Sequence, residues 1–323
     1  MAVRRHAERA GEQARDEQDS VDANCIRESD GEGGMTSFID FARTYGVEIS
    51  ALRSGDRIWR CPTTTHPRSR NGAYYFDGSR GWCQNWETGE PAQWWNDPHA
   101  KPWTDSDKAA WARRRDEEAR ERARRQRLAA NRAAELLATC ESKPHNYLAG
   151  KGFPDVPAMV APDYAMVIPM RDVQSNELLG AQVIAIEDGQ WAKKMLPGMR
   201  AKGAVLRLGP KRVTESVLVE GFATALSVEA AVKRLCIQAA VYVTFSANNL
   251  AHVADLLAGK RYVFADNDAS GTGERVAEAT GLPWVASDVV GEDANDLHQR
   301  AGVMTVAKLL LAARVASAGG RAQ

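Results

Sequence analysis

The sequence predicts an α/β protein with a mainly parallel sheet, helices on both its faces, and a small β-rich module in front. Three observations predict it. From residue 213 to 300, strand-like runs alternate with helix-like segments. The strand runs are continuously apolar, as in sheets buried on both faces. Residues 36–98 break at Gly72, Gly78, Gly81 and Gly89 into short β segments, and six of the nine tryptophans lie between Trp59 and Trp103.

The totals bound what the chain can be. A length of 323 residues allows two or three domains. Hydrophobic residues at 44% and charged residues at 26% are ordinary for a soluble protein. The net charge is +0, so any affinity for nucleic acid must come from local clusters. No apolar run reaches the ~20 residues of a membrane helix, and the first 20 residues lack the apolar centre of a secretory signal. Five widely spaced cysteines form no disulfide framework, which fits a reducing cytoplasm.

Taken in order, residues 1–34 are polar and end in GEGG, so they are expected to be disordered, an extension upstream of a start at Met35. Residues 35–103 form the module: a helix at about 36–46, then the β segments DRIWRC, GAYYFD and GWCQNW. Residues 104–139 read as a helical linker whose middle, ARRRDEEARERARRQR, is solvated; Leu128, Leu136 and Leu137 supply its first apolar spacing. In 140–212, VIPM and LLGAQVIAIE pair antiparallel around a turn at Arg171–Glu177. Residues 189–212 hold seven Lys/Arg, including Lys193, Lys194, Arg200 and Lys202, and no acid. Residues 213–300 carry strands at TESVLVE, IQAAVYVTF, RYVFAD and LPWVAS, with helices between them. Residues 301–323 make a closing helix and tail.

Acids stand where this pattern ends its strands. Glu220 follows SVLV, Asp266 and Asp268 follow RYVFA, and Asp293 and Asp296 lie in GEDANDL after WVAS. Ligands of open α/β sheets bind beyond strand carboxyl ends. Converging carboxylates repel each other and call for a hard divalent cation such as Mg²⁺, or Mn²⁺ in its place, which in turn holds phosphate. The turn after Asp268 leads into a helix N-terminus, a second place for phosphate. A lone Asp-x-Asp is more often a turn or cap; three acidic patches in this order point to a site.

VLVEGFATALS, YVFADNDASGTG and GEDANDL together resemble the TOPRIM domain shared by bacterial-type primases, topoisomerases and some nucleases. HNYLAGKGF resembles the segment opening the catalytic core of phage and plasmid primases. The resemblance implies a TOPRIM domain over 213–300 and the N-terminal part of a primase core over 140–212. It implies catalytic Glu220, Asp266 and Asp268, with Asp293 and Asp296 completing the metal-site set. The third patch departs from the family's Asp-x-Asp by placing Asn295 in it; an asparagine carbonyl can still coordinate. The resemblance places Lys193, Lys194, Arg200 and Lys202 where such primases carry a basic motif, suited to template or nucleotide phosphates.

For the front module the resemblance implies a zinc-ribbon-like, template-binding role. Cys61, His66 and Cys83 are candidate Zn²⁺ ligands, and His99 a distant fourth. A structural zinc site needs four ligands, usually in C-x2-C pairs, so two readings stand open. One has bound zinc; the other has a core built from Trp59, Tyr74, Trp82 and Trp86. Arginines 57, 60, 68, 70 and 80 interleave with aromatics there, a composition suited to single-stranded DNA. The expected activity is synthesis of short RNA primers from nucleoside triphosphates on a single-stranded DNA template. No G-x4-G-K-[ST] motif is present, so the replicative helicase is expected as a separate chain. The alternatives are a TOPRIM nuclease and a non-catalytic single-stranded DNA-binding replication protein.

Overall fold

The structure, a computed structural model, describes residues 37–88, 90–98 and 104–319. The expected disorder of 1–34 and the candidate ligand His99 lie outside the described residues. The chain divides into two compact units after Lys108.

In the first unit, helix α1 (Phe38–Thr44) starts at Ser37, whose hydroxyl accepts from the Asp40 amide at 3.2 Å. Four antiparallel strands follow in sequential order: β1 (Gly55–Cys61), β2 (Gly72–Phe76), β3 (Arg80–Asn85) and β4 (Gln93–Asn96). β3 alternates, burying Gly81, Cys83 and Asn85. The core joins Phe38, Phe41, Val47, Ile49, Cys61, Tyr74 and Cys83. Of the four aromatics expected there, Tyr74 is buried and Trp59 packs at the margin. Trp86 instead is 52% exposed, with the Arg60 guanidinium 5.0 Å from its ring centre. Strand β4 went unread because QWWN is only four residues long.

Helix α2 (Asp105–Ala138), whose first turn precedes the boundary and whose remainder belongs to the second unit, is built from strong helix formers without Gly or Pro. Thr104 and Asp107 cap it reciprocally. Its buried stripe is Ala129 and Ala133, continued by Leu136 and Leu137 against Ala161, Ala165 and Val167, while Leu128 stays 48% exposed. The helix end is therefore part of the second core.

The remaining elements are β5 (Glu141–Lys143), α3 (Asn146–Gly150), β6 (Ala158–Val160), β7 (Met166–Asp172), β8 (Leu178–Glu187), β9 (Gln190–Met195), β10 (Ala204–Leu208), β11 (Glu215–Val219), α4 (Phe222–Arg234), β12 (Ala239–Val243), α5 (Ala247–Leu256), β13 (Lys260–Phe264), α6 (Thr272–Ala279), β14 (Trp284–Val285), α7 (Ala294–Ala301) and α8 (Val303–Gly319). They make one ten-stranded sheet in the order β14-β13-β11-β12-β10-β7-β6-β5, with β8 on β7 and β9 on β8. Strands β14, β13, β11 and β12 are mutually parallel; the other pairings are antiparallel. The sheet is thus mixed rather than mainly parallel, and residues 140–212 extend it instead of forming a separate layer. The expected β7–β8 hairpin is present.

Both faces of the parallel part are covered. Val217 and Val219 of β11 face α4, α7 and α8, whereas Leu218 faces α5 and α6. This explains the unbroken apolar run. Among the described residues no helix is long and apolar enough to cross a membrane.

One ion pair fastens α8 to the foot of β11. Arg314 donates twice to Glu215, at 2.8 and 3.0 Å, with Lys260 at 3.8 Å. The Arg314 bonds hold the Glu215 carboxyl below its ordinary pKa. Arg314→Leu is expected to destabilise the fold by about 3 kcal/mol at pH 7, because it strands a buried carboxylate. Glu215 gives its stability above its unfolded pKa and loses it as pH falls. The gap between variant and wild type should therefore narrow below about pH 4, as read by urea unfolding.

Candidate functional site

Strand β11 lies between β13 and β12, so the chain leaves it to one side for β12 and returns past it to β13. That reversal opens a crevice at the carboxyl ends of β11 and β13. Their register, Leu218 beside Val263, puts Glu220 and Asp266 at the same end of adjacent strands.

Asp266 is the centre of the arrangement. Its Oδ1 is buried and has no hydrogen-bond partner. Burial above all, then the charges of Asp293, Glu220 and Asp268, push its pKa up to about 7, while Lys193 pulls it down. Glu220 is also raised, by burial and then by Asp268, again opposed by Lys193. Four acids from three strand ends thus share one field, with one lysine opposing it.

Each acid is positioned differently. Glu220 leads directly from β11 into Gly221, the N-cap of α4. Asp268 accepts from the amides of Ser270 (2.8 Å), Gly273 (3.1 Å) and Thr272 (3.4 Å), and from the Ser270 hydroxyl. These bonds, the Ser270 hydroxyl foremost, lower its pKa. Asp268 thereby takes up the amides at the start of α6 that the sequence offered to phosphate. Asp293 caps α7, accepting from the Asn295 amide at 2.7 Å and the Asp296 amide at 2.9 Å. Its other oxygen accepts from buried Thr224 at 3.0 Å.

Asp296 is turned away from this field. It accepts from the Asp293 amide at 3.3 Å and lies 3.5 Å from Lys151 Nζ. Asn295, expected as a carbonyl ligand, is fully buried and donates to the Lys151 carbonyl (2.8 Å) and the Ser227 hydroxyl (3.2 Å). It ties α3 and α4 to α7.

Two residues that the sequence reading passed over organise the site. Asn267 donates to the Ser287 carbonyl at 3.0 Å, and its backbone bonds Glu292 and Gly291, so it staples the Asp266 loop to the Asp293 loop. Thr224 links α4 to Asp293. The middle residue of Asp-x-Asp and the first turn of a helix after Glu-Gly were the available signals.

The basic segment is divided by strand alternation. Lys193 shares a face of β9 with Trp191 and Met195, and points toward α3, with its Nζ 5.7 Å from the Tyr147 ring centre. Lys194 takes the opposite face and pairs with Glu187. Arg200 pairs with Asp172. Lys202 lies near His252 on α5, whose pKa is depressed by burial first and by Lys202 second. Of the four cations, Lys193 alone acts on the acid field. Lys193→Gln is expected to move the titration midpoint of the buried acid above 7, as followed by carboxyl ¹³C NMR.

In the first unit, Cys61 and Cys83 are neighbouring core thiols, pushed up to about 11 and about 12, chiefly by burial. His66 is not among them: its Nδ1 bonds Glu87 at 2.9 Å and its side chain is 68% exposed. Zinc there would require His66 to leave Glu87. Among the described residues no three His, Cys, Asp or Glu side chains are grouped so as to hold a metal ion. The donors around Asp266 are nonetheless all carboxylate oxygens, one of them buried and unpartnered, which is the chemistry a hard divalent cation requires.

Comparison of the chain with family models, with curated proteins and with solved structures finds no match.

Proposed function

We propose that the chain is a DNA primase of the phage and plasmid type, with a TOPRIM domain at its centre, joining nucleoside triphosphates into short RNA primers on single-stranded DNA. The observation that supports this reading is the buried Asp266 carboxyl, its Oδ1 unpartnered and its pKa raised by burial and then by the charges of Asp293, Glu220 and Asp268 at the switch point of the sheet.

In this reading Glu220, Asp266, Asp268 and Asp293 hold Mg²⁺ or Mn²⁺, which when bound neutralises phosphate charge and supports nucleotidyl transfer. Asp266 must lose its proton to take part, so affinity for the cation rises with pH through about 7. Lys193 supplies positive charge to the incoming phosphates. Asp268 orders the start of α6 through its three backbone bonds, so the loop carrying Asp266 keeps its shape. The first unit, with Arg57 and Arg60 stacked on Trp59 and Trp86, is assigned to the template. Cytoplasmic location and a separate helicase belong to the same proposal.

The test is primer synthesis on single-stranded DNA with nucleoside triphosphates and Mg²⁺ or Mn²⁺. Folded, metal-binding protein that makes no primer, with or without helicase, would overturn the reading. Cleavage of labelled DNA with metal and no nucleotide would instead assign the acids to a nuclease.

A further inference from the structure

We propose that an aromatic ledge made by Trp191 and Tyr164, backed by the buried His145 and lying beside the acid site, stacks the bases of single-stranded nucleic acid. The inference rests on the nucleic-acid reading above and names a subsite for it. Trp191 is 37% exposed, and its ring centre lies 5.3 Å from that of His145 and 5.6 Å from that of Tyr147. Tyr164 is 51% exposed, 5.4 Å from His145. Ile186, 62% exposed, lies directly across from Trp191 on the same face. Together the two rings and Ile186 make a joined apolar surface, and such patches rimmed by polar groups mark binding sites.

The ledge is held in a strained form. Tyr164 has φ of 70°, a left-handed conformation unfavourable for an aromatic residue. The hairpin turn sets it, through the Tyr164 amide on the Ala161 carbonyl and the Ala161 amide on the Ala165 carbonyl, both 2.9 Å; His145, 2% exposed, adds an Nε2 bond to the Tyr164 carbonyl at 2.9 Å. His145 Nδ1 accepts from the Tyr147 amide at 3.2 Å, so the ring is fixed from both sides. Strain retained by surrounding bonds is characteristic of binding sites. The Tyr147 hydroxyl beneath is buried without a partner.

Charge identifies the occupant. Lys143 Nζ lies 5.8 Å from the Tyr164 ring centre, with Glu141 pairing it at 3.0 Å, and Lys193 lies 5.7 Å from Tyr147. Lys193 is also the cation felt by Glu220 and Asp266, so the ledge is continuous with the acid crevice. Flat π-faces with flanking ammonium groups suit bases joined by a phosphate backbone.

The experiment compares binding of the full chain to an oligothymidylate and to an abasic strand of equal length. A strand carrying 2-aminopurine reports stacking by its fluorescence quenching. Wild type should favour the base-bearing strand by roughly 5- to 150-fold, from the range for one base on an aromatic ring. The Trp191→Leu/Tyr164→Gly variant should lower that ratio at least roughly 5-fold, any remainder belonging to the first unit, and weaken the quenching, while keeping the salt dependence set by phosphate contacts. Equal affinities in wild type, or an unchanged ratio in the variant, would overturn the ledge. A base preference that the variant loses, in a protein that makes no primer, would keep the ledge and remove the primase reading; primer synthesis without any base preference would do the reverse.

Discussion

If the chain is the primase proposed above, Asp266→Asn is expected to abolish its primer synthesis and, at the same time, to stabilise the metal-free protein at pH 8. In wild type the folded carboxyl titrates at about 7 against an ordinary 3.8. The folded state therefore holds a proton that the unfolded chain has released, and stability falls as pH rises between those values. The difference amounts to something on the order of 4 kcal/mol. Asparagine cannot ionise, so its stability should be flat over that window and should meet wild type below about pH 4. Urea unfolding at pH 4, 6 and 8 reads the effect; parallel slopes in the two proteins would contradict the field described for the crevice. Loss of activity together with gain in stability is the pattern expected of strain kept for function.

Gly273→Ala is expected to destabilise the fold by about 2–4 kcal/mol and to reduce turnover with it. A Cβ at this position would stand 2.2 Å from the Asp266 carbonyl oxygen, 3.2 Å from its carbon and 3.3 Å from its nitrogen. All three are backbone atoms, so no rotamer can relieve the overlap. The first turn of α6 would have to move off the loop that carries Asp266, and the Gly273 amide bond to Asp268 would go with it. Gly271→Ala is the control. Its Cβ would meet open space, and only its left-handed φ of 64° resists substitution, at about 1 kcal/mol. Thermal unfolding of the two variants separates lack of room from backbone strain; equal losses would contradict the close approach.

Much of the second unit is legible in the chain itself. The stretches 217–219, 239–243 and 262–264 are apolar throughout, as strands covered by helices on both sides are. The acids are legible for the same reason: a charged residue directly after an apolar run marks a strand end. Glu220 and Asp266 were found in this way, Asp268 from the Asp-x-Asp spacing and Asp293 from the acidic patch after WVAS. In the first unit, α1 and three strands were legible from their glycine boundaries. Cys236 shows the limit of the method: its apolar neighbours Leu235 and Ile237 suggest burial, yet helix α4 stops short of it and it is exposed with φ of 53°.

The chain by itself therefore determined which segments become strands and helices and which acids cap them, because these depend on neighbours within a few residues. Only the tertiary structure decided that β11 lies between β12 and β13, that β10 joins the antiparallel strands to the parallel ones, and that Lys193 faces the acids while Lys194 faces Glu187. It alone showed Asp266 buried and unpartnered, Asn295 used as a tie, and Tyr164 strained above His145. Those facts depend on groups tens to more than a hundred residues apart, whose burial, hydrogen bonds and summed charge exist only once the strands have paired.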